Sequence, residues 1–144
     1  MKDKVIRNEF EEYIVSSIKG YDKNIVYPDG GDLRLTQALK IFKNFNNSKT
    51  ILIGKENVIT GNIKESGIIN TDTIEIIEPS KSGKFNDYKS LLMGLFKSRQ
   101  KEITEALAEE MVSNNNYFAA LMVRSGDAHC GISGSLSSKG YIVF

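Results

Sequence analysis

The amino-acid sequence predicts a three-layer α/β domain with a mainly parallel sheet. Three β-branched runs, beginning at Ile25, Ile51 and Ile74, are separated by similar lengths of chain. The segments between them carry apolar residues at helical spacing, so that strands and helices alternate along the sequence. This alternation is typical of a parallel sheet that is built from β–α–β units with right-handed crossovers.

The first half of the chain supplies these elements in order. Phe10, Ile14 and Ile18 lie four positions apart and predict an amphipathic helix. Gly20 is a natural residue to end that helix. The run NIVY predicts the first strand, and Asp32 is a good N-cap for the helix in DLRLTQALKIFKNF. TILIG is the second strand, KENVITGNIKESG a short helix or two turns, and DTIEIIEP the third strand.

The second half predicts three helices after the polar, turn-rich linker SKSGKFND. They lie in YKSLLMGLFKS, in ITEALAEEMV with Thr104 near its start, and in YFAALMVRS, which Gly126 ends. The Asn residues of SNNN can cap the last helix, and Tyr117 and Phe118 are expected in the core. CGIS predicts a further strand and YIVF a last one. Residues 1–144 are expected to form a single domain.

The charge balance excludes several classes of protein. The sequence has 19 Lys and Arg residues and 18 Asp and Glu residues, and these charges are interspersed. It therefore predicts no basic surface for nucleic acid. The start has no apolar signal segment, and the longest apolar run, FAALMV, is too short to cross a membrane. A single cysteine, Cys130, excludes an internal disulfide. We therefore expect a cytoplasmic protein without a membrane or nucleic-acid partner.

The stretch YPDGGDLR is the first chemical candidate, because it follows a strand and opens a helix at the edge where α/β sheets bind ligands. Gly30 and the next glycine allow close backbone approach to an anion, and Arg34 adds a guanidinium. The stretch is neither a P-loop nor a dinucleotide fingerprint. The residues alone favour a structural interpretation, in which Asp29 and Asp32 cap a turn and a helix and Arg34 pairs with one of them.

Two further stretches have both a functional and a structural interpretation. Ser133-Gly134-Ser135 lies just past a predicted strand, again at a carboxyl edge, but Gly and Ser also suit an ordinary turn. The basic cluster KSRQK, which contains Arg99, suits either a solvated surface or a phosphorylated cofactor. His129 and Cys130 are adjacent, so on a strand they would point to opposite faces and form no nucleophile pair. They are also too few for a zinc site.

The segment NIVYPDGGDLRLTQALKIFKNFNNSKTILIGKENVI resembles the opening of phosphate acetyltransferases and phosphate butyryltransferases. Pro28, Asp29, Gly30, Asp32 and Arg34 fit the Pro-acid-Gly-x-Asp-x-Arg turn of that family. IEIIEPS resembles its third strand. SRQKEITEALAEEMVSNNNYFAALMVRSGDAHCGISGS is similar to the family's basic connection, its Thr-led and Tyr-Phe helices and its Gly-Asp-Ala and Ser-Gly segment. The resemblance covers residues 24–138 and implies the fold of the family's first domain.

This resemblance implies acyl transfer between coenzyme A and inorganic phosphate, without a metal or a prosthetic group. Together with the chemistry above, it assigns substrate contacts to Gly30, Asp32, Arg34, Arg99, Ser133, Gly134 and Ser138. No catalytic residue is assigned, and the sequence does not separate acetyl from butyryl specificity. Alternatives from other classes are a non-catalytic module that binds a phosphate compound or another chain, and an unrelated nucleotide-binding domain.

The sequence departs from the family pattern at three places. His129-Cys130 stands where members usually have Asp-Gly, and the basic connection of the family carries its Arg one position earlier than Arg99. After Ser138, Lys139-Gly140-Tyr141 replaces Thr-Ala-Asp. The resemblance thus implies a truncated, N-terminal part of such an enzyme, inactive alone. An incomplete domain is expected to leave apolar surface uncovered and to form homo-oligomers.

Overall fold

A computed structural model describes residues 8–18, 20 and 22–136 of the chain. Within them lie four strands, six α-helices and one short 3₁₀ helix at Pro79–Lys81. The strands are β1 (Asn24–Tyr27), β2 (Lys49–Ile53), β3 (Ile74–Ile77) and β4 (Cys130–Gly131). The helices are α1 (Glu9–Ile18), α2 (Leu33–Phe42), α3 (Glu56–Ser66), α4 (Phe85–Ser98), α5 (Glu105–Ser113) and α6 (Asn115–Ser125).

The four described strands form one sheet in the order β3-β2-β1-β4, and all the pairings are parallel. Tyr27 of β1 pairs with Leu52 of β2, and Val26 pairs with Gly131 of β4. The predicted parallel sheet is therefore confirmed, and the strand predicted in CGIS is shorter than its four residues. The strand predicted in YIVF lies outside the described residues.

Helices cover both faces of the sheet because successive strand side chains point to opposite sides. Leu52 packs with Leu39 of α2 and with Ile59 and Ile63 of α3. Ile51 and Ile53 belong to the core on the other face, with residues from α4, α5 and α6. These two apolar cores on either side of one sheet confirm the three-layer architecture.

The predicted caps position the helices that flank the sheet. The Asp32 side chain accepts the Arg34 N–H at the start of α2, and the Thr104 side chain accepts the Leu107 N–H at the start of α5. Asn114 caps α6, and Gly126 ends it in the left-handed conformation that glycine tolerates best. The segment predicted as a short helix or two turns forms one helix, α3.

The expectation that two neighbouring aromatic residues both lie in the core was wrong for one of them. Phe118 is 1% exposed and packs edge-on against Tyr88, with ring centroids 4.9 Å apart. Tyr117 is 37% exposed. Adjacent residues on a helix point about 100° apart, because a turn takes ~3.6 residues, so only one of the pair can face the sheet.

Helix α1 contributes no buried residue, and its aromatic side chains Phe10 and Tyr13 are largely exposed. Its last residue is tied to the domain through Asn46, whose side-chain amide donates to the Ile18 carbonyl. Among the described residues, none of the helices has the length and apolar character that spanning a membrane requires.

Candidate functional site

The turn after β1 is pressed against the end of β2. The Gly30 N–H donates to the Ile53 carbonyl at 3.2 Å. A Cβ atom at Gly30 would lie 2.8 Å from that carbonyl oxygen and 2.9 Å from the Ile53 nitrogen. Only a glycine fits this approach without displacing backbone, so Gly30 serves the shape of the turn.

Asp32 and Arg34 form a bidentate ion pair at the start of α2. The guanidinium donates to both carboxylate oxygens, with Nη2 to Oδ2 at 2.8 Å and Nε to Oδ1 at 3.1 Å. These hydrogen bonds from Arg34 lower the pKa of Asp32 to about 2, against the smaller opposing effect of burial. The pairing confirms the structural interpretation of Arg34 and of Asp32 as a cap. The Arg34 side chain nevertheless stays 72% exposed.

The side chain of Asp29 contacts a loop at Gly134, which lies 105 residues later in the sequence. Its Oδ2 atom accepts the N–H of Gly134 at 2.8 Å, the N–H of Ser135 at 3.0 Å and the hydroxyl of Ser133 at 3.3 Å. Asp29 is only 6% exposed. The sequence interpretation that confined this side chain to capping its turn missed the contact.

Arg34 provides a second tie to the same loop, since its Nη2 atom also donates to the Ser135 carbonyl at 2.9 Å. The pairing of β4 with β1 places the carboxyl ends of both strands side by side. The structure thus brings the PDGGD turn and the Ser133–Ser135 loop together, as expected of two segments at one edge of a parallel sheet.

Two asparagines at the start of α6 complete this edge, and sequence reasoning assigned them no role beyond capping. The Asn115 amide donates to the Pro28 carbonyl at 3.1 Å. The Asn116 Oδ1 atom accepts the Ser133 hydroxyl at 3.0 Å. The sequence did contain a signal for a further role: SNNN has three asparagines, and Asn114 alone is enough to cap the helix.

A cleft of about 860 Å³ runs between α4, α6 and the exposed edge of β4. Ser133 lies on its wall, and so do three cations, Arg99, Lys101 and Arg124. The other walls are mostly apolar, and no carboxylate lines the cleft among the described residues. Arg99 and Ser133, both predicted as substrate contacts, therefore share one cavity. Ser138 lies outside the described residues.

His129 and Cys130 also line this cleft. The His129 Nδ1 atom accepts the Asn24 N–H at 2.9 Å, so Nε2 is the ring nitrogen that faces other partners as a donor. Cys130 is exposed. Within the described ranges, no cluster of three or more His, Cys, Asp or Glu side chains is arranged to hold a metal ion.

A separate hydrogen-bonded cluster holds the turn between α6 and β4. The Tyr88 hydroxyl donates to Asp127 Oδ2 at 2.6 Å, and the Ser125 hydroxyl donates to the same atom at 2.8 Å. These two bonds lower the pKa of Asp127, whereas burial first and then the Asp127 contact raise the pKa of Tyr88. The cluster fixes the direction in which the chain enters β4.

The fold is a parallel three-layer α/β domain whose loops meet at the carboxyl edge of its central strands, the edge at which sheets of this kind bind ligands. Residues 9–143 match the sequence model of the phosphate acetyl/butaryl transferase family, and the chain belongs to that family. The resemblance on which the sequence analysis relied is thereby confirmed.

The similarity extends to named relatives. The chain is 28% identical over 134 residues to a phosphate acetyltransferase of Nitratidesulfovibrio vulgaris, covering 93% of this chain and 19% of that protein. It is 31% identical to one of Acetivibrio thermocellus, covering 90% of this chain and 37% of that protein. A phosphotransacetylase structure from Streptococcus pyogenes superposes with a TM-score of 0.75 at 22% identity, covering 94% of this chain and 40% of the other. The chain thus spans well under half of the length of these relatives.

Proposed function

We propose that this chain forms one wall of the active cleft of a cytoplasmic phosphate acyltransferase, which transfers an acetyl or butyryl group between coenzyme A and inorganic phosphate. Family membership over residues 9–143 supports the reaction class. The observation that carries the proposal is the shared position of Arg99 and Ser133 on one apolar, cation-lined cleft.

The chemistry of this cleft suits coenzyme A. Its phosphates need cations, and guanidinium groups bind phosphate with two parallel hydrogen bonds. The thiol-bearing arm and the acyl group are largely uncharged and suit apolar walls such as Leu95 and Phe96. Arg34, exposed at the neighbouring loop, is assigned to the phosphate side, with Gly30 and Asp32 shaping its turn. Ser138 keeps its assignment by resemblance.

The test is direct titration of the purified chain with coenzyme A. Arg99→Ala is expected to weaken binding by about tenfold, because a charged hydrogen bond to phosphate is lost. Ser133→Ala should weaken it less. Lys97→Ala is the matched control, since it removes an exposed cation outside the cleft and should leave the affinity unchanged. Equal affinities of wild type and Arg99→Ala would contradict the assignment of this cleft.

A non-catalytic module that binds a phosphate compound is the alternative function. It is favoured by the lack of a carboxylate base on the cleft among the described residues and by the Asn24 N–H, which occupies the Nδ1 atom of His129. Titration with coenzyme A, beside titration with inorganic phosphate and with acetyl phosphate, separates the two proposals. A module of this kind would bind one of these anions, but it would show no dependence on Arg99 when titrated with coenzyme A.

A further inference from the structure

We propose that Asp29 is the positioning residue of this site, a role that rests on the proposed function of the cleft. Its carboxylate holds the Ser133–Ser135 loop in place and, together with the Asn116 amide oxygen, keeps the proton of Ser133 directed away from the ligand. Asp29 is buried at 6% exposure, and it belongs to the turn that follows the central strand β1. It thus couples a rigid element of the sheet to a loop that is itself mostly exposed.

The hydrogen bonds to Asp29 are charge-assisted, because their acceptor is a carboxylate. An ionised carboxylate is an acceptor only, and hydrogen bonds to it are about twice as strong as neutral ones. Two donors among the described residues are backbone N–H groups of consecutive residues, at 2.8 and 3.0 Å. Consecutive N–H groups that converge in this way form a concave anion site. In this protein the anion at that site is the side chain of Asp29.

The arrangement changes what Ser133 offers to a ligand. Its hydroxyl has one proton, and both of its close partners, Asp29 Oδ2 and Asn116 Oδ1, are acceptors. The proton therefore points into the protein, and the lone pairs of the oxygen are left for the cleft. Ser133 then meets a hydrogen-bond donor of the ligand, such as its amide or thiol, rather than a phosphate oxygen.

The charge of Asp29 also indicates that this loop does not bind the phosphate of the ligand. A phosphate bound to the N–H groups of Gly134 and Ser135 would lie within a few Å of the Asp29 carboxylate, and like charges at that distance repel strongly in a partly buried site. Recognition of phosphate then belongs to the guanidinium groups of Arg99 and Arg34. The loop itself orients the uncharged part of the ligand.

Amide hydrogen exchange of the whole chain tests the contact without any ligand. In the wild type, the amides of Gly134 and Ser135 should exchange more slowly than that of exposed Leu136, although all three residues lie in one exposed loop. Asp29→Asn, which removes the charge at constant shape, should speed exchange at Gly134 and Ser135 by about tenfold or more. Asp72→Asn is the control, because it removes an exposed carboxylate just before β3, and β3 and β4 lie at opposite ends of the strand order of the described sheet. Wild-type exchange at Gly134 and Ser135 as fast as at Leu136 would overturn the proposal, and this measurement requires no variant to fold.

Coenzyme A titration then tests whether Asp29 acts through Ser133. Asp29→Asn and Ser133→Ala should each weaken coenzyme A binding several-fold. The affinity of the double variant should equal that of the single variant that binds less tightly, because both changes disable one unit. Effects that multiply would contradict positioning through Ser133. Weaker binding of inorganic phosphate by Asp29→Asn would also overturn it, since removing this negative charge should only relieve repulsion at the Gly134 and Ser135 N–H groups. If the wild type binds no coenzyme A, the proposed function fails, and the exchange comparison still decides the role of Asp29.

Discussion

Two adjacent glycines in the turn after β1 should differ sharply in their tolerance of a methyl group. Gly30→Ala places Cβ 2.8 Å from the Ile53 oxygen and 2.9 Å from the Ile53 nitrogen, and these backbone atoms have little room for adjustment. We expect the free energy of unfolding to fall by about 1–3 kcal/mol, as for other overpacked sites. Urea denaturation of this variant and of Gly31→Ala measures the difference.

Gly31→Ala is the matched control, because its Cβ would contact only the Val58 side chain, at an ordinary 3.7 Å. Its unfolding midpoint should stay within the error of the wild type. If the two alanine variants unfold at the same urea concentration, the close approach of the turn to β2 is not the reason for glycine at position 30.

Partners close in sequence could be predicted at the scale of single residues, and distant ones could not. Asp32 and Arg34 are two positions apart, so a cap and an ion pair follow from local chemistry. The partners of Asp29 lie more than 100 residues away, and they become neighbours only because β4 pairs with β1. No local pattern carries that information, so both the role of Asp29 and the hydroxyl contact of Asn116 were missed.

At the scale of elements, the N-terminus of α2 should depend on pH through Asp32. Its folded pKa of about 2 lies below the ordinary value of 3.8, so ionised Asp32 stabilises the fold fully above about pH 4. That contribution is lost as the pH falls from about 4 through about 2. Asp32→Asn keeps a good N-cap and removes the charge.

The free energy of unfolding of wild type minus that of Asp32→Asn should therefore be positive at pH 6 and shrink toward zero near pH 2. High salt at pH 6 should also shrink it, because Arg34 is mostly exposed and its charge is screened. Guanidinium denaturation would mask this salt effect, so urea is the denaturant to use. A difference that is constant between pH 6 and pH 2 would show that the ion pair contributes nothing to folding.

The helices were the most predictable elements, and the strand that completes the site was the least. Helices α2 and α4 carry long apolar periodicities, and α6 ends at a glycine, so period and caps defined them. Strand β4 has two residues, too few to show a period, and its place beside β1 depends on how α4, α5 and α6 pack on one face. The sequence therefore indicated the sheet and its ligand edge, but not which loops touch.

At the scale of the whole molecule, we predict no measurable acetyl transfer from acetyl phosphate to coenzyme A by this chain alone. Electrostatic stabilisation of the transition state is often the largest catalytic contribution, and the described wall of the cleft offers cations without a base. A thioester assay decides the matter. Turnover above the uncatalysed background that disappears in Arg34→Ala or Ser133→Ala would show that these residues belong to a complete catalytic site.

The exposed apolar side chains predict self-association. Phe10 and Tyr13 project from α1, and Ile132 and Leu136 project from the segment after β4. Apolar patches of several hundred Å² promote pairing between proteins. Sedimentation velocity over a range of concentrations should show dimers, and replacing Phe10 and Tyr13 together by Ser should shift the protein toward monomer. A wild-type chain that remains monomeric at high concentration would contradict this prediction.

The contact between Asp29 and Gly134 also has a consequence for the order in which the protein acquires its shape. Its two residues are separated by 105 positions. At a synthesis rate of about 5–20 residues per second, the loop that contains Gly134 is therefore made roughly 5–20 s after the turn that contains Asp29. The β1–β2–β3 layers with α2 and α3 have all of their residues long before then, so their shared apolar core can begin to form earlier. The proposed ligand site thus forms later than the β1–β2–β3 layers, and an opening of the segment that includes β4 would abolish it while the rest of the described sheet stays folded.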